Sequence, residues 1–218
     1  MKELCGSVLA ANHANLARDV KKAENEGISR FHIDVTDGHY TPEITFGVQL
    51  VRDLRRETDA VLDVHLAVFN LPVILDSFLD SGADSITLQY EACDLPQRLL
   101  TTLKKRGVNA CLSFIPATGF ERIEYFIDEA DTVNLLGVDP GIGGQQFISK
   151  ILNKVEKTAA WRDNHGLKTR IAVDGGLNRD NCRRAAEAGA DILIFGSGIF
   201  RGNISENINA LRMNLEGC

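Results

Sequence analysis

The feature of this sequence that most constrains its fold is the regular alternation of short apolar runs with amphipathic stretches. The apolar runs predict eight strands, at Leu4–Leu9, Arg30–Val35, Ala60–His65, Ser85–Leu88, Asn109–Phe114, Thr132–Val138, Arg170–Val173 and Ile192–Phe195. Helix-like stretches between them include Asn15–Glu26, Val48–Glu57, Leu95–Arg106, Gly119–Ala130, Lys150–Asn164 and Arg179–Ala188. Strands and helices that alternate in this way indicate a parallel sheet covered by helices.

Three helix-to-strand joints resemble one another, which indicates that a βα unit repeats along the chain. They read EGISRFHI from Glu26, SGADSITL from Ser81 and AGADILIF from Ala188. Some eight such units in 218 residues, with no Pro/Gly/Ser-rich linker, favour one closed (β/α)8 TIM barrel over residues 1–218. An open doubly wound sheet is the alternative. It is less favoured because no G-x-G-x-x-G motif follows the first strand.

Charge and cysteine content exclude several classes of protein. A formal net charge of -6 without a Lys/Arg cluster argues against a nucleic-acid partner or an anionic membrane surface. No apolar run approaches the roughly 20 residues of a membrane-spanning helix, and the start MKELCGSVLAANH does not resemble a signal peptide. The five scattered cysteines form no C-x-x-C pair. We therefore expect a cytoplasmic protein with reduced cysteines.

Polar side chains at the ends of four predicted strands are the candidates for chemistry: Ser7, His32 with Asp34, His65 and Asp174. Singly, each has an ordinary explanation as a buried core residue or a turn residue. Together they would meet at the carboxyl end of a barrel, where two carboxylates and two imidazoles are costly to bury unless paired or bound to metal. Nitrogen and oxygen ligands without sulfur suit one divalent ion of Zn, Mn or Fe.

Glycine-rich loops follow the last three predicted strands. They read DPGIGGQQF from Asp139, DGGLN from Asp174 and GSG from Gly196. Glycine lets backbone N–H groups approach an anion closely, and many barrels bind phosphate with these loops. Tight βα turns alone would also use glycine. Three such loops in succession favour a phosphate site.

With these motifs in order, the chain resembles the ribulose-phosphate 3-epimerase family of phosphate-binding barrels over nearly its whole length. The matching pieces include SVLAANHANL, FHIDVTDGHYTPEITFG, DVHLAV, DPGIGGQQFI, IAVDGGLN and AGADILIFGSGIF. The resemblance implies a divalent metal held by His32, Asp34, His65 and Asp174. It also implies substrate contacts from Ser7, His65, Gly141, Ile142, Gly143, Gly144, Gly175, Gly176, Gly196 and Ser197. We further expect a homo-oligomer.

The implied reaction inverts C3 of a phosphorylated ketose, with D-ribulose 5-phosphate giving D-xylulose 5-phosphate. The family assigns proton transfer to residues matching Asp34, the base in one direction, and Asp174, the acid. Three alternatives are another ketose phosphate such as D-allulose 6-phosphate, a non-catalytic sugar-phosphate-binding barrel, and a related decarboxylase. The last needs a Lys among Asp residues at the strand ends, and strands two and three offer none.

Several positions depart from the family pattern. Methionine is usual where this chain has Thr36, Ala67 and Leu136, His is common at Gln89, and Phe is common at Ile142. The proton-transfer and phosphate motifs match, whereas the residues between them do not. The sequence therefore predicts the reaction type more firmly than the sugar.

Overall fold

The computed structural model describes residues 2–141 and 143–218, in which eight parallel strands close into a barrel in chain order. The strands are β1 (Glu3–Ser7), β2 (Arg30–Thr36), β3 (Val61–Ala67), β4 (Ser85–Gln89), β5 (Asn109–Phe114), β6 (Thr132–Leu136), β7 (Arg170–Asp174) and β8 (Ile192–Phe195). β8 pairs with β1, which completes the ring. The predicted (β/α)8 TIM barrel is confirmed.

Helices pack around the outside of this barrel. They are α1 (Leu16–Asn25), α2 (Val48–Glu57), α3 (Leu71–Leu79), α4 (Pro96–Lys105), α5 (Phe120–Phe126), α6 (Ile151–Asn164), α7 (Cys182–Glu187), α8 (Ser197–Phe200) and α9 (Ile204–Leu215). Short 3-10 turns lie at Val8–Ala10, His13–Asn15 and Tyr90–Ala92. Within residues 2–141 and 143–218, no helix has the length and apolar character needed to cross a membrane.

Successive side chains on each strand point alternately toward the surrounding helices and into the barrel interior. On β2, Phe31, Ile33 and Val35 join the main apolar core, which lies between the strands and the helices. His32 and Asp34 alternate with them and face the barrel interior. A small apolar cluster from three neighbouring strands also lies inside: Cys5, Ala172, Ile192 and Ile194. Buried polar residues occupy other interior positions: Asp63, Thr87, Gln89, Ser113 and Asn134.

Some strand ends differ from those predicted, and the reasons are local. β1 stops at Ser7 because a 3-10 turn begins at Val8. β6 stops at Leu136 because the chain bends at Gly137, although the Gly137 N–H still donates to the Asp174 carbonyl of β7 at 2.6 Å. β2 and β3 instead continue to Thr36 and Ala67, which pair with one another. These two residues therefore end neighbouring strands.

Candidate active site

Strand register brings the predicted polar residues together. Asp34 on β2 lies opposite His65 on β3, and Ser7 on β1 lies opposite His32. Asp174 ends β7 on the far side of the barrel mouth. One ligand atom from each of His32, Asp34, His65 and Asp174 lies within 4.8 Å of the others. The structure thus gathers all four residues of the implied metal site.

His32 supplies the test of whether a metal fits. Its ring is fully buried, and Nδ1 donates to Oδ2 of Asp63 at 2.7 Å, since a carboxylate can only accept. Nε2 makes no hydrogen bond within the described chain, although Asp34 Oδ1 and Asp174 Oδ2 lie 3.3 and 3.7 Å away. A buried nitrogen without a partner, facing two carboxylates, fits a divalent cation.

Asp34 sits at the centre of the remaining contacts. Ser7 Oγ donates to its Oδ2 at 3.0 Å, and Nδ1 of His65 lies 3.2 Å from its Oδ1. The other ring nitrogen of His65, Nε2, lies 2.9 Å from Oε1 of Gln89. Asp34 is therefore held by polar neighbours from β1 and β3, the strands on either side of its own.

The two carboxyls differ in their affinity for protons. At Asp34 burial acts to raise the pKa, but the charge of the neighbouring His32 outweighs it and holds the pKa well below its usual range. At Asp174 burial raises the pKa by more than the charge of His32 lowers it, and repulsion from Asp34 raises it further. The pKa of Asp174 is therefore about 6. Burial acts to lower the pKa of His32, whereas Asp34 and Asp63 raise it well above its usual value.

A cavity of about 830 Å³ opens above these residues and continues to the glycine loops. Its lining includes the predicted residues Ser7, Asp34, His65, Gly141, Gly143, Gly144, Asp174, Gly175, Gly176, Gly196 and Ser197. Ile142, also predicted to bind substrate, lies outside the described residues. Gly176 has φ +70°, and a Cβ there would come within 2.7 Å of the Phe147 backbone nitrogen. A residue with a side chain would be strained at this φ and would clash with Phe147, so this position requires glycine.

Three of the positions that depart from the family pattern also line this cavity. Thr36, Ala67 and Leu136 are buried side chains on its wall. Thr36 has a structural role as well, because its hydroxyl donates to the Glu43 carbonyl at 2.7 Å and its N–H donates to Thr45 Oγ1 at 3.0 Å. The hydroxyl adds a side-chain bond between the strand and the loop after β2 that a methionine could not make.

Sequence reasoning missed two sets of residues that support the histidines. Asp63 is hydrogen-bonded to His32. The D-x-H spacing in LDVHLA, which puts Asp63 and His65 on one face of the strand, is the sequence pattern that could have identified Asp63. Gln89 and Glu91 support His65. Gln89 was noted only as a departure from the family pattern.

Comparisons with known proteins identify the family. The family model for the ribulose-phosphate 3 epimerase family matches residues 3–200. Ribulose-phosphate 3-epimerase of Bacillus subtilis is 37% identical over 201 residues, covering 92% of this chain and 93% of that protein. The Escherichia coli K12 enzyme of the same name is 38% identical, covering 89% and 87%, and the Methanocaldococcus jannaschii enzyme is 34% identical, covering 92% and 85%.

Solved structures show the same fold at low sequence identity. A 3-hexulose-6-phosphate synthase superposes with a TM-score of 0.71 at 15% identity, covering 99% of this chain and 100% of that one. A thiamine phosphate pyrophosphorylase from Pyrococcus furiosus gives 0.64 at 16% identity, covering 98% and 95%. These likenesses support the barrel alone. The family model and the relatives above show more: the chain belongs to the ribulose-phosphate 3-epimerase family of isomerases.

Proposed function

We infer that this chain inverts the configuration at C3 of a phosphorylated ketose, with D-ribulose 5-phosphate and D-xylulose 5-phosphate as the principal pair. The observation that carries this proposal is the convergence of Asp34 and Asp174 with two histidines at the mouth of one cavity. Relatives named ribulose-phosphate 3-epimerase supply the choice of sugar. Phosphate binding alone would not require two buried carboxyls beside two imidazoles.

His32, Asp34, His65 and Asp174 would hold one divalent ion, for which two nitrogens and two carboxylates suit Zn, Mn or Fe. When bound, this ion supplies positive charge that stabilises the negative charge developing on the substrate oxygens as C3 loses its proton. Asp63 orients His32 through the hydrogen bond to Nδ1. The unpartnered Nε2 of His32 is the supporting observation.

Proton transfer falls to the two carboxylates. In one direction Asp34 takes the C3 proton, and the electron pair of the broken C–H bond moves into the enediolate formed with the C2 carbonyl. Asp174 then delivers its own proton to the opposite face of C3, and the C2 carbonyl forms again. Exchange with solvent restores both carboxyls, and the reverse reaction exchanges their roles. Ser7, which donates to Asp34, fixes the orientation of that carboxylate.

The glycine loops would bind the phosphate. Gly175, Gly176, Gly196 and Ser197 line the cavity together with Gly141, Gly143 and Gly144. Positive φ angles at Gly141, Gly144, Gly175 and Gly176 allow the loops to approach the ligand with backbone N–H groups. This arrangement needs no cationic side chain. It is consistent with the chain's net charge of -6.

A turnover screen in deuterium oxide tests the proposal. The metal-reconstituted protein is given several ketulose phosphates, and we expect the highest kcat/KM with D-ribulose 5-phosphate and deuterium at C3 of the product. Labelling follows because the incoming proton comes from a carboxyl that exchanges with solvent. Product without solvent label would contradict the two-carboxylate scheme. Failure to convert any ketulose phosphate would favour a sugar-phosphate-binding protein.

The atypical cavity wall keeps a hexulose 6-phosphate, such as D-allulose 6-phosphate, as the second candidate. Ala67 is smaller than the usual methionine and would leave room beside the middle carbons of a longer sugar. We expect Ala67→Met to shift the kcat/KM ratio toward the pentulose by about tenfold, or roughly 1.4 kcal/mol. The measurement is kcat/KM for both sugars in both proteins.

Thr36 requires its own control, because Thr36→Met adds bulk and also removes the hydrogen bond to Glu43. Thr36→Val removes the hydroxyl without the bulk. If filling the cavity sets the preference, Thr36→Met should act in the same direction as Ala67→Met while Thr36→Val leaves the ratio unchanged. A ratio that no methionine variant moves would make these substitutions alternative packing only.

Three further expectations from the sequence belong to this proposal. The chain forms one domain over residues 1–218, acts in the cytoplasm and assembles as a homo-oligomer. Its ligand is the phosphorylated ketose, without a nucleic-acid or membrane partner.

A further inference from the structure

The second ring nitrogen of His65 leads away from the cavity into a chain of buried polar groups. Nδ1 faces Asp34, whereas Nε2 faces Oε1 of Gln89 at 2.9 Å. Gln89 ends β4 and is fully buried. Whether Nε2 carries a proton depends on whether Gln89 presents its oxygen or its NH2 group to the ring, because an amide can do either.

Acceptors on the far side of Gln89 decide this orientation. Its Nε2 donates to Oε2 of Glu91 and lies 3.4 Å from the carbonyl oxygen of Ser113. A carboxylate and a carbonyl only accept. Reversing the amide would place its oxygen against both of these acceptors and leave its NH2 group against His65. The NH2 group of Gln89 is therefore directed at Glu91 and its oxygen at His65.

Glu91 is held by donors from the loop that follows β5. Its Oε1 accepts from the backbone N–H of Ile115 at 3.2 Å and from the hydroxyl of Thr118. The loop that carries these donors is anchored by Lys154, whose Nζ donates to the carbonyls of Ile115 and Pro116 at 3.1 and 2.8 Å. Ile115, Thr118 and Gln89 all donate to Glu91. Its Oε2 thus remains an acceptor for Gln89.

We propose that Glu91 and Gln89 are positioning residues that fix the proton of His65 on Nε2 and so leave Nδ1 as the nitrogen offered to the metal. The direction of the relay follows from donor and acceptor identities alone: Glu91 accepts from Gln89, and Gln89 accepts from His65. The amide transmits the orientation set by Glu91 without adding a charge beside the ring. The proposal rests on the metal site of the proposed function.

The decisive variant is Glu91→Gln, which touches none of the four ligands. The new amide at position 91 can still accept from Ile115 and Thr118 through its oxygen, but it then presents NH2 to Gln89. A bond accepted from the amide at position 91 outweighs the longer 3.4 Å contact with the Ser113 carbonyl, so Gln89 reverses and donates to His65, which moves the ring proton to Nδ1. We expect the Kd for Zn²⁺, measured by competition with a chromophoric chelator, to rise about 10-fold to 100-fold.

A swapped double variant separates orientation from general disruption. Q89E/E91Q keeps the composition and charge of the network and restores an acceptor opposite Nε2, now a carboxylate at position 89 that also accepts from the amide at position 91. We expect Zn²⁺ affinity to return to the wild-type value or exceed it. Thr118→Val is the matched control, because it removes a donor to Glu91 and leaves the bond to Gln89 intact. It should leave the Kd unchanged.

Long-range ¹H–¹⁵N spectra of the Zn²⁺-loaded wild-type protein test the same proposal without a variant. We expect the His65 proton on Nε2 and the metal on Nδ1. Coordination through Nε2, wild-type affinity in folded E91Q, or a double variant as weak as E91Q would each overturn the proposal. A wild-type protein that binds no Zn²⁺ would instead contradict the metal site of the proposed function.

Discussion

Replacing Asp174 by Asn should lower kcat for epimerisation by about 10³-fold or more, which corresponds to roughly 4 kcal/mol of transition-state stabilisation. Asn has nearly the same size and keeps an oxygen that can ligate, but it transfers no proton at C3. The backbone carbonyl of Asp174 still accepts from Gly137, so the loop after β6 keeps its anchor. The fold and most of the phosphate affinity should survive.

Isotope exchange makes this prediction specific to a two-carboxylate mechanism. With Asp174→Asn, Asp34 can still remove the C3 proton of one epimer and return a solvent deuteron to the same face. Recovered substrate should therefore gain deuterium without inversion, and only for one epimer. Asp34→Asn should show exchange confined to the other epimer. Mass and NMR analysis of both sugars after incubation in deuterium oxide gives the result.

Asp180→Asn is the matched control, because Asp180 lies in the loop after β7 and its side chain is 84% exposed. It should leave turnover unchanged. Retention of more than about a tenth of wild-type kcat in Asp174→Asn would show that another group supplies the proton. Exchange into both epimers by one variant would mean that a single base reaches both faces of C3.

The barrel and its mouth could be predicted from the sequence because both depend on local periodicity. Alternation on β2 places His32 and Asp34 on one face, and parallel register then sets Asp34 opposite His65. Helix α3 is hard to recognise in the sequence. It has a buried face with Leu71 and Phe78, but Val73 on its other face is 79% exposed, so apolar residues on both faces hide the helical period.

The support behind His65 could not be predicted, because it depends on contacts between segments that lie far apart in sequence. Glu91 and Thr118 are separated by 27 residues, and no spacing rule joins a 3-10 turn after β4 to a loop after β5. The same limit applies to Thr36. The missing methionine was visible in the sequence, whereas the bond from its hydroxyl to Glu43 was not. Strand register predicts which side chains meet across neighbouring strands. Contacts made by loop residues cannot be predicted in this way.

Removal of metal should reduce turnover by about 10³-fold, since Lewis-acid stabilisation of developing charge is worth several kcal/mol. Dialysis against a strong chelator followed by elemental analysis should show the loss of one divalent ion per chain. Zn, Mn or Fe salts, added singly, should restore activity to different degrees. The reason lies in the site itself, where two carboxyls approach one another beside the unpartnered Nε2 of His32.

His32→Gln tests the same site through a ligand, and His39→Gln is its control. His39 is an exposed loop residue on the same side of the barrel, bonded to Asp37 two positions away. We expect His32→Gln to lose bound metal and turnover together, and His39→Gln to keep both. Chelated protein that contains no measurable metal yet turns over at the wild-type rate would exclude a metal-dependent reaction. The two histidines would then act only through hydrogen bonds to Asp34, Asp63 and Gln89.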